Sequence, residues 1–178
     1  MNEKLLEQLI EGCRSANRRS QGDLYKYFYA YGVTVALHYV SDSDTAKAVY
    51  NEAMFKAFTN IAQYKTDAPF KAWLRRIVIN AAIDHNRKYM HETSMEAEDI
   101  AVNVPTYSAV FSKLETDDIL LVINKLAPSY RSVFLLHNIE GFKFYEIAEQ
   151  LNITEGGAKT LYHKAKLKLQ TILIDYFN

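Results

Sequence analysis

Cysteine, proline and glycine are all scarce in this chain. Among 178 residues there are one cysteine, three prolines and six glycines. A lone Cys13 cannot close an internal disulfide, and a reducing, cytoplasmic setting is the simple expectation. Few helix breakers and little strand-like alternation point to an almost wholly helical chain. No stretch approaches the roughly 18 apolar residues of a membrane span, so no membrane insertion is expected. The opening MNEKLLEQLIEGCRS has acids inside its apolar stretch and does not read as a secretory signal.

Net charge is also lacking: 21 basic residues balance 21 acidic ones. Their distribution is uneven. Residues 71–88 hold five Lys/Arg against Asp84 alone, and residues 156–174 hold four lysines and His163 with no acid. Between them, residues 92–118 carry seven acids and one lysine. Local field rather than total charge decides where a polyanion docks, so two basic stretches around an acidic connector are compatible with nucleic-acid binding.

Apolar residues recur at helical spacing in three early segments. These are Leu24, Tyr27, Phe28, Tyr31 and Val35, then Ala46, Val49, Tyr50, Ala53, Ala57, Phe58 and Ile61, then Phe70, Trp73, Leu74, Ile77, Ile79 and Ile83. The triplet Ser41-Asp42-Ser43 supplies caps for the second segment, and Pro69 suits a first helical turn before the third, which should end near Tyr89. Periodicity is lost over residues 90–114, where Ser, Thr, Asn and acids accumulate around Pro105. A polar stretch this long reads as a flexible linker. Helical spacing resumes near Glu115 with Ile119, Val122, Ile123 and Leu126, and Pro128 opens a further helix. The expected architecture is all-α: a helical domain at 1–90, a linker at 91–114 and a second helical domain at 115–178.

The most informative string runs from Leu126 to Gln170. Tyr145 to Leu151 reads as a short helix with Ile147, Ala148 and Leu151 inward. Asn152 is one of the few residue types that accept a left-handed backbone, which a tight helix–helix turn needs. Ile153 is expected to plug the core and Thr154 to cap the next helix. This is the pattern of a helix-turn-helix, whose second helix can lie in the major groove. Thr154, Lys159, Thr160, His163, Lys164 and Lys166, with Lys168 beyond, are then the residues expected to face phosphates or base edges. A helical hairpin with a solvated lysine face is the plainer reading of the lysines alone; the turn and cap favour DNA.

Several blocks resemble the sigma factors of bacterial RNA polymerase, in particular the small extracytoplasmic-function (ECF) group. Region 4 of that family is similar to Leu126 with Pro128, Tyr130-Arg131, Val133 to Leu136, Glu140-Gly141, Glu146-Ile147-Ala148 and Leu151 to Thr154. Region 2 is similar to Leu24-Tyr25, to Asn51-Glu52 with Phe55, and to Phe70-Lys71-Ala72-Trp73-Leu74-Arg75-Arg76-Ile77 with Asn80 and Asp84. The resemblance implies that the first domain binds core RNA polymerase through Asn51, Glu52 and Phe55. It implies that this domain melts the −10 promoter element, with a flipped base received by Tyr64, Lys65, Thr66 and Asp67. Lys71, Arg75, Arg76, Asn80, Arg87 and Lys88 would line the DNA side. The second domain would bind the −35 element. An inhibitory anti-sigma protein is a further partner the resemblance implies.

The chain departs from the family at Thr45-Ala46-Lys47-Ala48, where an acidic run is usual, at Leu161, where Arg is frequent, and at Gly157, where Thr is usual. Two other readings stay open: a stand-alone helix-turn-helix regulator of duplex operators, and a degenerate sigma-like module that binds a partner protein. Trp73 and the tyrosines at 25, 27, 29 and 31 have an ordinary explanation as core and rim. His38, His85, His91, His137 and His163 lack metal-ligand spacing, and no phosphate loop or catalytic constellation is recognisable. Neither a metal, a cofactor nor enzymatic activity is expected.

Overall fold

The computed structural model describes the backbone of residues 3–93 and 122–177 and the side chains of residues 3–87 and 122–174. Every regular element among the described residues is helical. In chain order they are α1 (Glu3–Arg14), α2 (Arg18–Leu37), α3 (Ser43–Thr59), a 3-10 turn (Ile61–Gln63), α4 (Phe70–Thr93), α5 (Pro128–Asn138), α6 (Phe144–Leu151) and α7 (Glu155–Phe177). The chain divides into two compact units, Met1–His85 and Asn86–Asn178. Most of the expected linker, the start of the helix expected from Glu115, and the Lys88 side chain lie outside the described residues.

In the first unit, local chemistry sets the helix ends. The Asn17 side chain accepts from the Ser20 amide at the start of α2. Asp42 does the same at α3, accepting from the amides of Asp44 and Thr45 at 3.0 and 2.9 Å. Both satisfy amides that a helix N-terminus leaves without a partner. Leu24, Phe28, Val35 and Ala36 of α2 are buried, as are Val49, Tyr50, Ala53 and Met54 of α3 and Phe70, Leu74, Val78 and Ile79 of α4. Tyr27 departs from expectation and stands 49% exposed. At about 100° per residue it falls some 60° from Leu24, off the buried stripe of α2. Helix α4 continues to Thr93, past the end expected near Tyr89, there being no glycine or proline between those two residues to interrupt it.

Gly32 lies in the interior of α2, where glycine is ordinarily unfavourable. Here its bare backbone admits the fully buried Tyr50 ring. The Tyr50 hydroxyl donates to the Tyr25 carbonyl at 2.8 Å.

In the second unit, Leu135 and Leu136 of α5, Ile147 and Leu151 of α6 and Ala158, Ala165 and Leu169 of α7 form the core. The small Ala158 and Ala165 let α7 approach its neighbours closely. Arg131 is buried, and its Nη2 donates to the carbonyls of Asn124 and Leu126. Its place in the Tyr130-Arg131 block is therefore structural: it closes the carbonyl end of the segment before α5. The Glu146 carboxylate accepts from the Lys143 amide at 2.7 Å and fixes the start of α6.

Candidate nucleic-acid and protein interfaces

The turn between α6 and α7 is made at Asn152, which sits in the left-handed region at φ 54°, ψ 48°. Its amide donates to Glu149, and the Ile153 amide donates to Ala148 at 3.0 Å, which closes the carbonyl end of α6. Ile153 is half-buried rather than a core plug, because it lies in the turn itself. Thr154 Oγ1 then accepts from the Gly157 amide at 3.0 Å and caps α7. Short helix, left-handed residue and capped second helix together form a helix-turn-helix.

Lys159, Thr160 and His163 are exposed on α7, and at about 100° per residue they fall within roughly 100° of one another. Gly156 lies inside the same sector, with open space where a side chain would begin. Lys166 is exposed beside this sector and its ammonium lies 5.9 Å from the Tyr162 ring centroid. Lys164 is half-buried at the other edge. Lys168 falls still further round. Thr160 donates its hydroxyl to the Gly156 carbonyl at 2.9 Å, leaving its oxygen as an acceptor. Glu155 escaped the sequence reading. Its carboxylate lies 2.6 Å from Lys159 Nζ on this same face. A glutamate four residues before a lysine is the legible signal for such a pair.

In the first unit, residues 65–69 are exposed. Tyr64, expected to line a base pocket, is instead 6% exposed. Its ring packs against Phe70 and Trp73, with centroids 5.2 and 5.3 Å away. Its hydroxyl donates to the Ala68 carbonyl at 2.8 Å, and its own carbonyl accepts from Arg14 at 2.9 Å. Burial among aromatic neighbours thus turns Tyr64 into the frame of the loop. Lys65, Thr66 and Asp67 are the side chains the loop displays.

The residues expected to share one side of α4 do not share it. Arg76, Asn80 and Arg87 are exposed and fall within about 40° of one another around the helix. Lys71 and Arg75 fall on another sector, with Lys71 about 140° from Arg76. The Lys71 ammonium sits 4.4 Å from the centroid of the Tyr31 ring on α2, and Arg75 is half-buried. Trp73, also half-buried, packs against both Tyr64 and Phe70.

On α3, Asn51, Glu52 and Phe55 are all exposed, Phe55 at 72%. Asn51 Oδ1 accepts from the Tyr25 hydroxyl at 2.7 Å. Glu52 pairs with Lys56 at 2.9 Å, and Lys56 also reaches Asp84 of α4 at 3.1 Å. The hydrogen bond to Glu52, followed by that to Asp84, raises the Lys56 pKa above its ordinary value against the opposing desolvation. Residues 45–48, where the sequence lacks acids, occupy the first turns of this helix.

Among the described residues, no group of three or more His, Cys, Asp or Glu side chains could hold a metal ion. No helix among them is long and apolar enough to cross a membrane.

Comparison with known proteins gives matches to both units. A family model described as Sigma-70 region 2 matches residues 24–92, and one described as Sigma-70, region 4 matches residues 116–169. Together they span more than half of the chain. The ECF RNA polymerase sigma factor SigW of Bacillus subtilis is 26% identical, over 97% of this chain and 99% of its own length. The RNA polymerase sigma factor SigV of the same organism is 27% identical, over 78% of this chain and 81% of its own. Among solved structures, the sigma factor RpoE of Bartonella quintana, in complex with the anti-sigma factor NepR, is similar in fold. It has a TM-score of 0.51 at 22% identity and covers 85% of this chain and 96% of RpoE.

Proposed function

Given that this chain belongs to the sigma-70 family, as an RNA polymerase sigma factor of the ECF group, we propose how its two units divide promoter recognition. The first unit binds core RNA polymerase through the Asn51, Glu52 and Phe55 face. Its loop at Lys65, Thr66 and Asp67 receives an unstacked base of the −10 element, and Arg76, Asn80 and Arg87 follow the DNA backbone. Extruding a base costs a few kcal/mol, offset by stacking and hydrogen bonds in the receiving site. The second unit places α7 in the major groove of the −35 element, with Lys159, Thr160 and His163 toward the DNA and Lys164 and Lys166 at the flanks.

The left-handed Asn152 turn with its Thr154 cap is the observation that carries this reading. It projects an exposed, lysine-bearing helix face of the kind a duplex groove accepts. The phosphodiester chemistry belongs to the polymerase, so the chain acts as a transcription factor rather than an enzyme, in the cytoplasm. An anti-sigma protein, of the class that RpoE carries in its complex, is the proposed inhibitor.

Run-off transcription is the test. Core polymerase with this chain should produce transcripts from defined promoters that core alone does not. Binding to core without new transcripts would favour an interaction module. Binding to duplex operators with no affinity for core would favour a stand-alone regulator.

A further inference from the structure

Asn51 belongs to the face assigned to polymerase, and one of its two polar side-chain atoms is already engaged. Its Oδ1 accepts from the Tyr25 hydroxyl across the α2–α3 contact at 2.7 Å. Tyr25 is itself held twice. Its carbonyl accepts from the buried Tyr50 hydroxyl at 2.8 Å, and its ring packs 5.1 Å from Tyr50 and 5.9 Å from Tyr29. The phenol therefore reaches Asn51 from a fixed base.

A carboxamide on an exposed helix face turns freely about its last torsion and presents oxygen or nitrogen alike. Engagement of the oxygen removes that freedom and leaves the Nδ2 amide as the group offered to solvent. It is flanked by the Glu52 carboxylate, which Lys56 holds at 2.9 Å, and by the exposed Phe55 ring. We infer that Tyr25 is a positioning residue for polymerase binding: it orients Asn51 so that the amide N–H groups meet an acceptor, a carbonyl or carboxylate, on the core enzyme. This inference rests on the assignment of the α3 face to polymerase. Its gain is preorganisation, since the rotor is ordered before the partner arrives.

The test measures affinity of the full-length chain for purified core RNA polymerase, with thermal melting of each variant alongside. Phe55→Ala and Asn51→Ala should both weaken binding. Tyr25→Phe, which keeps the ring and removes only the hydroxyl, should weaken it about 5-fold, the scale of one net hydrogen bond. Tyr25→Phe combined with Asn51→Ala should bind no worse than Asn51→Ala alone. Asn51→Asp, which still accepts from Tyr25 but has no N–H, should bind as poorly as Asn51→Ala. A purely architectural hydroxyl would lower the melting temperature without this coupling in affinity. Wild-type affinity in Tyr25→Phe, or full additivity in the double variant, overturns the inference while leaving the face assignment intact if Phe55→Ala still weakens binding. Unchanged affinity in both Phe55→Ala and Asn51→Ala removes the face assignment and the inference with it.

Discussion

Gly32 and Tyr50 are in direct opposition: a methyl group on Gly32 would fall 2.3 Å from two carbons of the Tyr50 ring. In an exposed helix interior Gly→Ala gains about 1 kcal/mol from helix propensity. Here the overlap forces the ring or α2 to move, at a cost of about 1–3 kcal/mol. Gly32→Ala is therefore expected to lower the stability of the first unit, read as the urea midpoint. A higher midpoint would show that the ring has room to shift.

The cap at Asp42 makes an acid-sensitive contribution. Its pKa lies below the ordinary 3.8, first through the Thr45 amide and then through the Thr45 hydroxyl, which donates at 2.7 Å. A depressed folded-state pKa means stability that is present above the unfolded value and lost as pH falls through the folded one. The stability difference between wild type and Asp42→Asn should therefore shrink below pH 3.8. A difference that stays level from neutral pH down to about pH 2.5 would contradict the assigned cause.

Glu155 neutralises Lys159 on the helix proposed to enter the groove. Glu155→Gln should tighten binding to −35 duplex and steepen its dependence on log salt by about 1, one more cation being available to phosphate. Lys159→Ala with Lys164→Ala should weaken binding and flatten the slope by about 1, the Lys159 charge being already paired with Glu155. Identical slopes in all three proteins would remove α7 from the DNA interface.

Gly156 has open space around a would-be side chain, unlike Gly157, whose added carbon would lie 3.1 Å from Thr154 Oγ1. Gly156→Ala should raise stability by about 0.5–1 kcal/mol. The crowded Gly157→Ala should gain less. The reverse order in denaturant titrations would mean that the start of α7 is arranged differently in solution.

The two sectors of α4 should behave differently in promoter opening. Arg76→Ala with Asn80→Ala should reduce permanganate reactivity of −10 thymines more than Lys71→Ala, whose ammonium is spent on the Tyr31 ring. Equal effects would argue that DNA wraps both sectors.

The helix-turn-helix was legible because its determinants are local. Glu146, Asn152 and Thr154 act on backbone within a few residues, and Ile147, Ala148 and Leu151 mark one face of a single short helix. What the sequence hid depends on partners far along the chain. Tyr25 reaches Asn51 across 26 positions and Lys56 reaches Asp84 across 28. Tyr64 reads as a loop residue, yet α4 brings Phe70 and Trp73 over its ring. Charge counting alone put Lys71, Arg75 and Arg76 together, whereas helical geometry separates Arg76 from Lys71 and Arg75. Glu155 was within reach of sequence reasoning, since it sits just before the basic stretch that begins at Gly156.

The Phe55 ring, left 72% in water, has a calorimetric consequence. Most of the ring is already hydrated in the free protein, so the area hidden on association counts as newly dehydrated surface. Association through this ring should therefore carry a negative heat-capacity change, and its enthalpy should become more favourable as the temperature rises. Replacing the ring with alanine should make that temperature slope shallower.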